Sequence, residues 1–284
     1  MTASVQMAIE GSSAHVGAPP AWLRRAADVR VTGWTEGDGC STLLHVEAPQ
    51  LGDAAEELYE QQTLWETRPA PEDTAVNVFA RAAREVRSEN MESSLYDLGL
   101  LRRFSNSHRL FERKLVSMEI PDSSHRGSAM TMLDRDLSSR ARDLTQQTPS
   151  PRQVRVVGHL DMIRHSTRTF EVLLEEGKPV RGVLEDSAQM DKLRSLLGQK
   201  ILIAGKAVYR ASGSLLRIDA QAVEEGGSAS KLFARVPAAM EHRTSPVRFR
   251  PGENVRRGVS GFFGKWPGDE SDEELHAMLR EMRG

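Results

Sequence analysis

The sequence predicts an α+β protein: an N-terminal domain of mixed helices and strands, then a small β-barrel, then an extended C-terminal segment with a short helix. Three observations support this. The first half mixes helical periodicity with strand-like runs, the middle alternates short β-rich runs with turn residues, and the end combines clustered aromatic residues with runs of charge. We place the three parts at residues 1–150, 151–228 and 229–284.

The N-terminal part begins with a hairpin pattern. Two β-rich runs, VRVTGW (29–34) and STLLHVEAP (41–49), flank a Glu-Gly-Asp-Gly turn at 36–39. Apolar spacing then predicts helices, and one further β-rich run predicts a strand. The helices are expected at 54–65, 73–86, 95–111 and 128–145, and the strand at 114–120. No motif in this part indicates a function.

The middle part has the most regular pattern. Three strand-like runs come first, a helical run ending at Gly198 follows, and two more strand-like runs close the set. Gly158, Gly182 and Gly205 interrupt apolar runs, where we expect bulges or bends in a tightly curved barrel. The strands are expected at 154–163, 169–174, 179–185, 200–210 and 215–223, and the helix at 186–197.

This order of elements resembles the OB-fold, a five-stranded Greek-key barrel. OB-folds often bind single-stranded nucleic acid on basic grooves with aromatic stacking platforms. Here Phe170 and Tyr209 are the only aromatic residues of the middle part, and the alternation of Phe170 with Val172 indicates a core position. We therefore favour a barrel that contacts protein or serves as a scaffold, and keep nucleic-acid binding as the alternative. The candidate phosphate-binding residues for that alternative are Arg155, Arg164, Arg168, Arg181 and Arg210.

The sequence contains no pattern typical of a catalytic or cofactor site. Cys40 is the single cysteine, so no disulfide can form within the chain, and neither a phosphate-binding loop nor a zinc motif is present. His159, Asp161 and His165 come closest to a metal cluster, but a surface patch explains them better. We expect a protein that is not an enzyme and has no metal or cofactor. The absence of a long apolar run or a secretory pattern predicts a cytoplasmic protein without a membrane span.

The C-terminal part changes sign of charge along its length. Residues 231–265 carry eight Lys and Arg against two Asp and Glu, whereas 266–284 carry two against six. Phe262, Phe263 and Trp266 fall within five positions, and Ser271 and Glu274 form a capping box at the start of a helix. An apolar stripe follows, and a helix this short is marginal in water unless that stripe docks on a surface. The stripe consists of Leu275, Met278, Leu279 and Met282.

The segment GKWPGDESDEELHAMLREM (264–282) resembles the C-terminal neutralising tails of bacterial antitoxins that are paired with PIN-type ribonuclease toxins. The resemblance implies a tail that lies over the toxin, with aromatic anchors in an apolar groove and a basic side chain entering the acidic metal site. Phe263, Trp266 and the helix stripe match the anchors, and Arg256, Arg257 or Lys265 match the basic side chain. The chain departs from the pattern in its size and in having no evident DNA-binding module.

These observations favour a non-enzymatic, antitoxin-like binding protein that neutralises or regulates a cognate nuclease through its tail. One alternative is a single-stranded nucleic-acid-binding protein that uses the barrel and the Arg-rich linker. Another is a tail that docks back on its own N-terminal domain.

Overall fold

The computed structural model describes residues 1–14, 18–59, 69–113, 115–122, 129–175, 177–227 and 235–239. The chain divides into two units, Met1–His242 and Arg243–Gly284. The first unit combines helices with three separate sheets, which confirms the α+β class. No helix within the described ranges has the length and hydropathy needed to cross a bilayer.

The N-terminal part contains eight helices and two hairpins in the residues that the structure describes. Its strands pair as β1 with β2 and β3 with β4, both antiparallel. The elements in chain order are α1 (Thr2–Glu10), α2 (Ala21–Ala26), β1 (Arg30–Glu36), β2 (Thr42–Glu47), α3 (Leu51–Ala54), α4 (Glu56–Tyr59), α5 (Ala75–Arg87), α6 (Leu98–Asn106), α7 (His108–Arg113), β3 (Ser117–Asp122), β4 (Ala129–Asp134) and α8 (Arg135–Gln147).

Several predictions for this part are confirmed, with corrected boundaries. The β1–β2 hairpin forms as expected. Helix α5 forms too, but it begins at Ala75 with Thr74 as its N-cap, and Thr74 and Asn77 make a capping box. Asp73, just before the cap, accepts a hydrogen bond from the backbone N–H of Ala70 at 2.7 Å. The helix expected at 54–65 is interrupted at Ala55, so α3 and α4 are separate over the described part of that range.

The helix predicted at 128–145 is wrong in its first part, because Ala129–Asp134 is strand β4. Met130 and Met132 are exposed, whereas Thr131 and Leu133 are buried, so the side chains alternate with the period of a strand. Met and Leu favour helices intrinsically, and pairing with β3 overrides that preference. Asp134 then caps α8 by accepting a hydrogen bond from the Leu137 N–H at 2.9 Å.

The middle part is a closed barrel with the strand order β5-β6-β7-β9-β8. All its neighbouring strands are antiparallel except β7 and β9, which are parallel. This arrangement, with a helix between the third and fourth strands, confirms the OB-like barrel that the sequence predicts. Its elements are β5 (Arg152–Arg164), β6 (Thr169–Leu173), β7 (Pro179–Leu184), a 3-10 turn (Ser187–Gln189), α9 (Met190–Ser195), β8 (Lys200–Tyr209) and β9 (Leu215–Glu225).

The barrel glycines mark close approaches more often than bulges. A Cβ on Gly182 would collide with the ring of Phe170, which is fully buried in the barrel core. A Cβ on Gly205 would collide with the backbone of Asp219, and here a bulge does fall between Ala204 and Gly205. The bulge in β5 lies beyond Gly158, between Leu160 and Met162. Of the three glycines, only Gly205 lies at a bulge.

The barrel and the N-terminal part share packing. One hydrophobic cluster contains residues of α5, α6 and α8 together with three residues of the barrel. These are Val208 at the end of β8, Ala211 in the loop that follows, and Leu216 at the start of β9. A second cluster fills the barrel interior, and a third joins α1, α2 and α3. Since one cluster spans both parts, the N-terminal helices are packed against one end of the barrel.

Candidate functional site

A cleft of about 780 Å³ lies on the face of the barrel formed by β5, β6 and β7. The end of α1 contributes Met7 and Gly11 to one wall, and the loop that joins β8 to β9 contributes Arg210. OB-folds use the same face and the corresponding loop for their ligands. Its described lining residues are Met7, Gly11, Ser94, Asp161, Met162, Arg164, Thr169, Glu171, Lys178, Pro179, Val180, Arg181, Arg210, Leu215, Leu216 and Val236.

The lining of the cleft is both cationic and apolar. Four cationic side chains, from three arginines and Lys178, face two carboxylates, Asp161 and Glu171. Apolar side chains such as Met162, Leu215 and Val236 supply the rest of the wall. The cleft therefore offers a net positive charge beside an apolar surface, which suits a ligand with an anionic group and an apolar body.

Arg181 differs from the other described cations of the cleft because its side chain has no hydrogen-bond or ion-pair partner among the described residues. It lies on β7, and its guanidinium packs over the α-carbon of Gly11, where a Cβ would approach Cζ to 3.1 Å. Gly11 ends α1 in a left-handed conformation, with φ of +76°. The Arg181 side chain has no hydrogen bond or ion pair with any described residue. Burial lowers the pKa of Arg181 and the neighbouring Arg217 lowers it further, while Glu171 acts in the opposite direction.

Arg210 is held by the loop that it belongs to. Its Nη1 donates a hydrogen bond to the Leu215 carbonyl at 2.5 Å and a longer one to Ser214 Oγ at 3.4 Å. Its Nε is buried and has no partner among the described residues. The loop is anchored on the N-terminal part, because Ser214 donates to Glu92 at 2.9 Å. These bonds fix the position of the guanidinium at the cleft.

The structure brings together three of the five arginines predicted for nucleic-acid binding. Arg164, Arg181 and Arg210 line the cleft, whereas Arg155 and Arg168 do not. Arg155 is exposed on β5. Arg168 adopts a φ of 56° in the turn before β6, and its Nη2 lies 3.9 Å from the carboxylate of the buried Glu10.

A buried polar network lies next to the cleft and ties three distant segments together. Arg217 on β9 pairs with Asp97 at 3.1 Å and with Asp219 at 2.7 Å, and it donates to Ser12 Oγ at 3.1 Å. Asp97 caps α6 by accepting from the Leu100 N–H at 3.0 Å. It also accepts hydrogen bonds from the backbone N–H and the hydroxyl of Ser13. The network holds the segment after α1, and therefore the Gly11 wall, against the barrel.

Sequence reasoning did not identify the α1 wall of the cleft or the role of Lys178. Residues 1–20 carry no predicted element, and Gly11 meets Arg181 across a long separation in sequence. The glycine that follows a run of helix-forming residues was the one available signal of a helix end. Nothing local to residues 7–11 indicates which strand they would contact.

Two further predictions concern metal ligands and the tail. The described residues contain no group of three or more His, Cys, Asp or Glu side chains placed to hold a metal ion. The ten residues predicted to bind a partner all lie outside the described ranges: Arg256, Arg257, Phe262, Phe263, Lys265, Trp266, Leu275, Met278, Leu279 and Met282.

Comparison with protein-family models, curated proteins and solved structures gives no match for this chain.

Proposed function

We propose that this chain is a non-enzymatic, antitoxin-like binding protein of the cytoplasm that uses residues 255–284 to neutralise or regulate a cognate nuclease, with a PIN-type ribonuclease as the candidate partner. The observation that carries the proposal is the composition of that segment. It joins a basic approach, three aromatic residues within five positions, and a capped acidic helix with one apolar stripe.

The energetics favour a segment that orders on a partner. Burying each of Phe262, Phe263 and Trp266 contributes about 1.5–3 kcal/mol. Ordering the chain costs about 1–2 kcal/mol per residue, so the aromatic anchors and the helix stripe must act together. All of these residues belong to the unit Arg243–Gly284. A truncation after residue 254 therefore removes no described residue of the barrel or of the N-terminal part.

Co-expression with the product of the neighbouring reading frame tests the proposal. We expect that product to be a small nuclease whose cleavage of RNA is suppressed by the full chain and restored with residues 1–254. The double substitution F263A/W266A should have the same effect. The matched control is W34A, which removes an exposed aromatic side chain from the first unit. Suppression that survives the truncation, or a neighbour without nuclease activity, would overturn the antitoxin assignment.

Single-stranded nucleic-acid binding by the barrel and the Arg-rich linker is the second candidate function. The convergence of Arg164, Arg181 and Arg210 in one cleft favours it. The affinity for a short oligonucleotide, measured by fluorescence anisotropy, should then fall steeply as salt is added. The logarithm of the association constant should fall with the logarithm of the salt concentration, with a slope of about −0.7 for each phosphate contacted. Absence of salt-dependent binding by the full chain would exclude this function.

A further inference from the structure

We propose that the cleft on the β5–β6–β7 face is a binding site for a small organic phosphate, anchored at Arg181. All the described lining residues belong to the unit Met1–His242, so the proposal does not rest on the proposed function of residues 255–284. Three features of the described residues carry the inference: the guanidinium of Arg181 without a hydrogen-bond partner, the excess of cations around it, and the size and apolar lining of the cleft.

The first feature is an arginine whose guanidinium makes no hydrogen bond or close ion pair with a described residue. A partly buried guanidinium that lacks hydrogen-bond acceptors is unfavourable, and a bound anion removes that cost. The side chain of Arg181 meets no hydrogen-bond acceptor among the described residues. The planar guanidinium of arginine binds phosphate with two parallel hydrogen bonds, which makes phosphate the matching group.

The second feature is the charge of the cleft as a whole. Arg164, Arg210 and Lys178 line the same cleft, so an anion at Arg181 lies in a field of positive sign. Asp161 and Glu171 also line it and offset two of the four positive charges. Among the described lining residues cations therefore outnumber carboxylates, which favours an anionic ligand.

The third feature distinguishes a small molecule from a nucleic-acid strand. The cleft volume of about 780 Å³ falls within the range typical of small-molecule sites. Met7, Met162 and Val236 are among its apolar lining residues, and none of its described lining residues is aromatic. A strand requires an open groove and aromatic stacking platforms. The apolar wall instead suits the body of one compact ligand.

Isothermal titration calorimetry of the full chain with adenosine 5′-monophosphate tests the site. Adenosine, inorganic phosphate and a short single-stranded oligonucleotide serve as comparison probes. We expect one molecule of the nucleotide to bind with a dissociation constant below about 1 mM. Inorganic phosphate should bind more weakly because it lacks a body for the apolar wall, and adenosine should not bind because it lacks the anion.

The substitution R181Q should weaken the nucleotide by at least about 10-fold, which equals about 1.4 kcal/mol. R155Q is the matched control, since Arg155 is an exposed barrel arginine outside the cleft, and it should leave the affinity unchanged. Thermal unfolding checks that each variant is folded. If R181Q does not fold, R181K keeps the charge without the planar fork, and a lower affinity at an unchanged Tm supports the site equally.

Four results would overturn the proposal. The first is that no phosphate probe binds the folded full chain, and the second is that folded R181Q or R181K binds the nucleotide as tightly as the unmodified chain. The third is that inorganic phosphate or adenosine binds as tightly as the nucleotide. The fourth is that only the oligonucleotide binds and loses affinity in R181Q, which would assign the cleft to nucleic acid.

Discussion

At the scale of single residues, the buried ion pair of Arg217 and Asp97 links the barrel to the N-terminal part. Both side chains are 4% exposed and lie 3.1 Å apart. Burial alone would raise the pKa of Asp97, but the Arg217 charge and hydrogen bonds from Ser13 and Leu100 outweigh it, so the pKa is lowered. A buried pair of this kind is costly to break, because the remaining charge loses its partner.

We expect D97N to destabilise the protein by about 3 kcal/mol in chemical unfolding. Asn is as good an N-cap as Asp, so the loss reports on the charge pair rather than on the capping of α6. D191N is the control, because Asp191 is 93% exposed and its contact with Arg194 is 3.9 Å long. Its effect should be close to zero. Equal stabilities of D97N and the unmodified chain would show that Arg217 is satisfied without Asp97.

The same pair predicts the direction of a pH dependence. A carboxyl group whose pKa is lowered by folding stabilises the protein above its unfolded pKa, here 3.8, and loses that contribution as the pH falls below it. The free energy of unfolding of the unmodified chain should therefore decrease below about pH 4, and D97N should show a shallower decrease. Parallel curves for the two proteins would contradict the assignment of this acid sensitivity to Asp97.

The contact between Gly182 and Phe170 provides a second residue-scale prediction. A methyl group at Gly182 would overlap the buried ring, so G182A should cost about 1–3 kcal/mol of stability. G227A is the control, because no described atom lies within 4 Å of a Cβ at that position. Urea unfolding of both variants measures the difference. A stability of G182A equal to that of G227A would mean that the barrel accommodates the methyl group without strain.

At the scale of elements, the barrel could be predicted from the sequence and parts of the N-terminal half could not. The barrel strands are rich in β-branched residues and are separated by glycine and polar turns, so their local preference agrees with their tertiary role. In β4 the local preference and the tertiary role disagree. Met130, Met132 and Leu133 favour a helix locally, and only pairing with β3 makes the segment a strand. Helix α1 was missed because polar residues such as Gln6 and Glu10 are buried along with the apolar ones, so the sequence shows no separate polar and apolar faces.

The β1–β2 hairpin should be the least protected sheet among the described residues. Both of its strands are exposed, including Trp34 and Leu44, which lie opposite each other. An isolated two-stranded hairpin is marginally stable in water. In hydrogen-exchange mass spectrometry of the full chain, its amides should exchange much faster than those of β5 and β8. Exchange as slow as in the barrel would show that another surface covers the hairpin.

At the scale of the whole molecule, distant parts of the chain build the cleft together. Its three arginines belong to the barrel and were candidates in the sequence, whereas Lys178 was not. The wall opposite them comes from α1, which the Arg217 network holds in place. Contacts such as that of Gly11 with Arg181 arise only after the N-terminal part packs on the barrel. Composition therefore predicted three of the cleft arginines, whereas their separation from Arg155 and Arg168 could not be predicted.

The role of the C-terminal segment is tested most directly by titrating the purified product of the neighbouring reading frame with the full chain and with residues 1–254. Calorimetry should show binding by the full chain and a loss of at least about 100-fold in affinity, or about 2.7 kcal/mol, for the truncated chain. The Tm of the truncated chain should stay unchanged, because the described barrel and N-terminal part are retained. Equal affinity of the two chains would contradict partner binding through residues 255–284.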